Sequence, residues 1–264
     1  MKRLSACTLA LCAVLSHQLQ AQRSELRLEK GWRFTRQDQA SFSTPDYNDS
    51  KWSRVTVPHD WAIYGPFSFE NDKQHLAIAQ DGQKEAMEHA GRTGGLPFVG
   101  AGWYRRSLDI PQDLGDRRVF LRFDGAMSHA RVYVNGKEVG YWPYGYNTFA
   151  FDITPYVRPG ASNTLAVRLE NKHESSRWYP GAGLYRNVHL TITSPTYIPL
   201  WGTRIQTPSV SADQAYVSVE TKVAGLSHLA GRPLRIETKI LSPEGKVVAE
   251  RTEDFSSKGA DSIY

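Results

Sequence analysis

Ala130-Arg131-Val132-Tyr133-Val134-Asn135-Gly136-Lys137-Glu138-Val139-Gly140-Tyr141 decides the fold class. Ala130, Val132 and Val134 alternate with Arg131 and Tyr133, the period of a strand with one buried face. Asn135-Gly136 then supplies two residues that tolerate positive φ, and the chain returns through Val139 and Tyr141, so the stretch reads as a β-hairpin. Upstream, Val119, Leu121 and Phe123 alternate against Arg118, Phe120 and Arg122, and further strands are legible at 165–169 and 188–192. No segment carries a long helical stripe with caps, so the class is all-β.

Short strands at roughly ten-residue spacing, punctuated by Asp-Gly, Asn-Gly and Pro-Gly, predict a β-sandwich or jelly roll from about residue 26 to 193. Its domain is placed at 22–195, because Ser194-Pro195-Thr196-Tyr197-Ile198-Pro199 reads as a proline-punctuated boundary. New alternations follow at Val217, Val219, Thr221 and Val223, and at Leu234, Ile236, Thr238 and Ile240. They predict an immunoglobulin-like sandwich over 196–264. That fold needs about seven strands and ~100 residues, so these residues read as the start of a truncated domain, with Ile236 and Ile240 left uncovered.

Residues 1–21 read as a secretory signal: Lys2 and Arg3 are the basic start, residues 4–15 the apolar run, and Leu19-Gln20-Ala21 a small-residue cleavage site. The run is too short for a membrane span. The mature protein is therefore expected to be secreted or periplasmic, with no membrane partner. Leu4-Ser5-Ala6-Cys7 mimics a lipid-attachment box, but no apolar stretch precedes it, which favours ordinary cleavage over an anchor. Both cysteines, Cys7 and Cys12, lie in the signal, leaving the mature chain without thiol chemistry. Loss of Lys2 and Arg3 takes the formal charge from +5 to +3. Basic residues scattered among acidic ones at so small an excess give no footprint for nucleic acid.

Two segments break the strand pattern. Residues 67–97 are long, polar and glycine-punctuated, a length that goes with function or disorder, and a short helix fits around 84–89. Ser176-Arg177-Trp178-Tyr179-Pro180-Gly181-Ala182-Gly183-Leu184-Tyr185-Arg186-Asn187-Val188 crowds aromatics, arginines and glycines before a strand, and reads equally as an aromatic-lined turn or a ligand-meeting loop. Glu70, Asp72, Glu85, Glu88 and Glu174 are loop carboxylates whose spacing marks no catalytic pair. The histidines show no metal-ligand spacing, and no nucleophile elbow, phosphate loop or dinucleotide fingerprint is present. Of seven tryptophans, four or five are expected in the core. Trp178 is the best candidate for stacking on a sugar, with Asn171, His173, Glu174 and Ser176 just before it.

Pro58-His59-Asp60-Trp61, Gly102-Trp103-Tyr104-Arg105-Arg106, Phe123-Asp124-Gly125, Val132-Tyr133-Val134-Asn135-Gly136, Phe151-Asp152-Ile153-Thr154-Pro155 and Tyr185-Arg186-Asn187-Val188 follow one another in order. This set resembles the amino-terminal region of glycoside hydrolase family 2, most closely its exported bacterial β-galactosidases, over nearly all of the mature chain. The resemblance implies a retaining glycosidase of carbohydrate catabolism, built as a sugar-binding jelly-roll β-sandwich (galactose-binding-like), an immunoglobulin-like domain and a TIM barrel with two catalytic glutamates. The barrel is missing here, and so is the family's acid/base Asn-Glu pair, since no Asn-Glu dipeptide occurs in the chain. No catalytic residue and no metal ligand is therefore assigned, and the chain alone is expected to be inactive.

The resemblance further implies that jelly-roll loops reach the barrel mouth and contact a β-galactoside or related oligosaccharide. Asn71 or Asp72 corresponds to one contact, and Glu174, Ser176, Arg177, Trp178 and Tyr179 to a second region. There some relatives place an aspartate that touches sugar and sodium, whereas this chain has Ser176, which puts the ion site in doubt. No cofactor is expected in this chain; the resemblance allows a sodium or magnesium ion, and an oligomer, for the intact enzyme. Its β-glucuronidase and β-mannosidase branches share the architecture, with Arg177 or Arg92 available for a uronate, and a free-standing carbohydrate-binding module is the reading outside the enzyme class.

Overall fold

The computed structural model describes residues 23–91, 98–173, 175, 179–256 and 262–263, so the signal read at 1–21 lies outside it. In chain order the first twelve strands are β1 (Arg23–Arg27), β2 (Trp32–Thr35), β3 (Ser53–Val55), β4 (Gln74–Leu76), β5 (Met87–His89), β6 (Gly100–Asp109), β7 (Arg118–Phe123), β8 (Ala130–Val134), β9 (Lys137–Trp142), β10 (Phe149–Asp152), β11 (Ser162–Asn171) and β12 (Val188–Thr193). Antiparallel pairing orders them into a four-stranded sheet, β1-β12-β7-β10, and a six-stranded sheet, β3-β2-β6-β11-β8-β9, the two layers of a jelly-roll sandwich. Among the described residues there is no α-helix, only short 3-10 turns.

The core is what the alternation predicted. Val119, Leu121 and Phe123 of β7, Val132 and Val134 of β8, and Leu165, Val167 and Leu169 of β11 join one wholly buried cluster, each such side chain stabilising the fold by about 1.5–3 kcal/mol on burial. The opposite face of the larger sheet is covered too: Trp103 and Ala166 pack with Phe42 and Trp52 from the loop between β2 and β3. Asn135 and Gly136, at φ +51° and +82°, close the β8–β9 hairpin. The Asn135 amide does more than turn the chain, donating to Asn163 Oδ1 (2.7 Å) and accepting from the Thr164 N–H (3.0 Å) at the start of β11.

The segment expected to hold a short helix around 84–89 instead contains β5, which pairs with β4 as a small hairpin. A lone helix of about one turn lacks the length to offset its nucleation cost, whereas β4 offers ladder partners and Lys73 bridges Glu70 and Glu88 across the turn. Residues 92–97 of the same segment, including Arg92, lie outside the described ones.

Beyond the first sandwich run β13 (Thr203–Val210), β14 (Ala215–Thr221), β15 (Val223–Ala224), β16 (Pro233–Leu241), β17 (Val247–Ser256) and β18 (Ser262–Ile263), whose ladders among the described residues are β13-β14, β15-β18 and β16-β17. These antiparallel ladders have the all-β character of an immunoglobulin-like sandwich. Leu234, Ile236 and Ile240 are half-buried and β13 is exposed along its whole length. The alternation expected to continue through Val223 breaks at Lys222, whose N–H donates to the Gly202 carbonyl; Val223 turns into β15 and is buried. Between the sandwiches, Tyr197 exchanges two backbone hydrogen bonds with Ala224 and sets its ring 5.3 Å from that of Phe120.

Candidate functional site

The chain leaves β3 through Pro58-His59-Asp60-Trp61 and lies alongside the loop that leads into β12. The His59 N–H donates to the Leu184 carbonyl (2.8 Å) and the Trp61 N–H to the Ala182 carbonyl (3.2 Å), while Met127 and Gly183 bond each other across the other side. Asp60 fastens the junction: Oδ1 accepts from the Ala62 and Ala182 N–H groups (2.9 and 3.1 Å), and Oδ2 from the Tyr179 hydroxyl (2.7 Å). Gly183 has φ +106°, and a Cβ there would sit 2.4 Å from the Tyr104 hydroxyl and 2.6 Å from the His59 carbonyl. Only glycine fits that approach.

Burial dominates the electrostatics of this junction. It lowers the His59 pKa, an effect that the neighbouring Asp60 charge opposes, so the imidazole is neutral at neutral pH. The His59 Nδ1 shares a 2.7 Å hydrogen bond with the hydroxyl of Tyr104, whose own pKa burial pushes well above the usual tyrosine value. Burial and the hydrogen bond to Asp60 likewise hold the Tyr179 hydroxyl protonated. Asp60 therefore fixes the polar edge of a ring that remains 38% exposed.

The sequence-predicted contact residues fall unevenly around this junction. Tyr179 is part of it. Asn71 is half-buried in a turn, donating its N–H to the Ser68 carbonyl (3.0 Å) and its side-chain amide to the Pro66 carbonyl (3.1 Å). Asp72 is buried at φ +54° in the same turn. Glu174, Ser176, Arg177 and Trp178 lie outside the described residues. Of the other tryptophans, Trp32, Trp52, Trp61 and Trp103 are buried, Trp142 is half-buried and Trp201 is exposed.

Beside the junction opens a cleft of about 740 Å³ between the β2–β3 edge and the chain at 64–65 and 98. Phe34, Tyr47, Trp52, Trp61, Tyr64 and Phe98 supply its aromatic wall. Behind the loop that carries Tyr47 and Asn48 lies Arg105, a buried cation from the Gly102-Trp103-Tyr104-Arg105-Arg106 motif, which donates to Asp49 Oδ2 (3.0 Å) and the Thr44 carbonyl (2.9 Å) and lies 5.6 Å from the Tyr47 ring centroid. Arg105 thus holds the 42–49 loop against the sheet. Sequence reading missed Asp60 as a clamp and the cleft altogether. The signal for the first was the aspartate inside an otherwise apolar motif; the cleft joins residues from four separate loops and strand ends, which no local pattern reveals.

Known proteins resemble the chain over this whole architecture. A beta-galactosidase of Bacteroides ovatus is 32% identical over 256 residues, covering 96% of this chain and 28% of that protein. A beta-glucuronidase of Bacteroides fragilis is 31% identical, covering 96% of this chain and 33% of that protein. The crystal structure of a glycosyl hydrolase family 2 member from Bacteroides cellulosilyticus superposes with a TM-score of 0.79 at 30% identity, covering 90% of this chain and 29% of that one. The chain spans about a third or less of the length of these relatives. Residues 26–195 match the sugar binding domain of the glycosyl hydrolases family 2, and the chain belongs to that family.

Proposed function

We propose that this chain is the noncatalytic, sugar-binding front of an exported retaining β-glycosidase that hydrolyses β-galactosides. The observation that carries the reading is the Asp60 clamp, which ties Tyr179 and the backbone of Ala182 to the end of β3. A tyrosine whose hydroxyl is fixed offers its ring face to the apolar face of a sugar at little entropic cost. Asn71 and Asp72, and Glu174, Ser176, Arg177 and Trp178 on the approach to Tyr179, complete the proposed contact set. The catalytic glutamates belong to a barrel outside this sequence, in keeping with the absence of any Asn-Glu dipeptide. Ser176 stands where some relatives of the resembled family place a sodium-binding aspartate, and a neutral hydroxyl there speaks against a sodium site.

The pure chain is expected to release no nitrophenol from a nitrophenyl β-galactoside, and to restore turnover when mixed with a separately expressed family barrel. Hydrolysis by the chain alone would overturn the placement of catalysis elsewhere. A β-glucuronidase is the second reading, favoured by the relative of that name at nearly the same identity and coverage. The reconstituted enzyme separates the two by its relative rates on galactoside and glucuronide.

A further inference from the structure

None of the residues assigned above to sugar contact lines the cleft beside the clamp, and its composition is its own. Arg36 donates to the Gly65 carbonyl (2.7 Å) and lies 5.2 Å from the Phe98 ring centroid, so its guanidinium is held in place with most of its donors unspent. Lys51 stands on the same lining. Neither cation pairs with a carboxylate among the described residues, although many of the chain's other arginines do. Among the described residues the lining contains no Asp or Glu, and Thr35, Gln37, Asn48, Ser53 and His59 make up the rest of its polar part. Tyr64, 84% exposed, offers an open ring face, and the volume lies in the range of about 300–1,000 Å³ that holds small ligands.

Aromatic faces beside hydroxyl and amide groups suit a sugar ring, and two uncompensated cations suit an anion attached to it. We propose that this cleft is a second, noncatalytic subsite for an acidic saccharide, whose carboxylate or sulfate group is met by Arg36 and Lys51. The inference is independent of which sugar the intact enzyme cleaves.

The test titrates the 264-residue chain with three oligosaccharides of equal length: one bearing uronic acids, one bearing sulfate esters and one neutral. Calorimetry and tryptophan fluorescence report binding, Trp52 and Trp61 lining the cleft. At least one acidic saccharide is expected to bind ten-fold or more tighter than the neutral one, and the arm that binds identifies the anion. The double variant R36Q/K51Q should abolish that preference while leaving the weaker binding of a neutral β-galactoside unchanged. K137Q/K246Q, which removes the same charge elsewhere, should leave the preference intact. Equal binding of acidic and neutral saccharides, or equal loss in both double variants, overturns the proposal; loss of neutral galactoside binding alone would instead count against the Tyr179 site.

Discussion

The two sandwiches of this chain are written in the same period-two code and reach different ends. In the first, the apolar faces of β7, β8, β11 and β12 meet a second layer, and Leu121 on β7 and Val167 on β11 are wholly buried. In the second, β16 alternates just as regularly, yet Ile236 and Ile240 are only half-buried and Ile205 of β13 is 66% exposed. Alternation specifies which face a strand must cover. It does not specify that a partner is present to cover it, because that depends on the number of strands in the opposing layer.

The largest expected effect comes from truncating equivalent positions in the two regions. Leu121→Ala should cost about 2–5 kcal/mol in urea unfolding through loss of burial and an unfilled cavity. Ile236→Ala should cost less, about 1–2 kcal/mol, because this half-buried side chain is only partly enclosed and its removal opens a gap that solvent can reach. Equal losses would show that the second sandwich is covered as well as the first. A smaller effect, about 2 kcal/mol, is expected for Gly183→Ala, which combines left-handed strain with a clash against Tyr104 and His59. Its signature is local: faster amide exchange at residues 179–184, with the second sandwich unchanged.

The smallest effect concerns pH. Because the folded His59 pKa is lowered, the unfolded chain takes up this proton first, so the contribution of a neutral His59 is complete above the unfolded value of about 6.5 and is lost as pH falls below it and through the lower folded value. His59→Gln should flatten that part of the stability profile. An imidazole resonance titrating above the ordinary histidine value would contradict the assignment.

Much of the first sandwich was legible because its strands bury one face: β7, β8, β11 and β12 follow from alternation, and the β8–β9 turn from Asn135-Gly136. β6 was not read as a strand. Trp103 and Arg105 are buried beneath the 38–49 loop while Tyr104 enters the core, so residues 102–105 are buried on both faces and show no period. β4 and β5 are three residues each, too short to establish one. For the site, sequence reading located Tyr179 but could not supply its anchor, because Asp60 lies 119 positions away and reaches it only through the packing of β3 against the approach to β12. The prolines of 194–199 are a local signal, whereas the Tyr197–Ala224 pairing within that stretch depends on residues of the second sandwich being in place.

The central claim is that a neutral β-galactoside seats on the face organised by Asp60. The direct measurement is an amide-resolved NMR titration of the chain with such a galactoside, run beside Asp60→Asn. The account predicts shifts concentrated at 71–72 and 179–184 that weaken several-fold in the variant. Shifts confined to the second sandwich, or unchanged by Asp60→Asn, would contradict it.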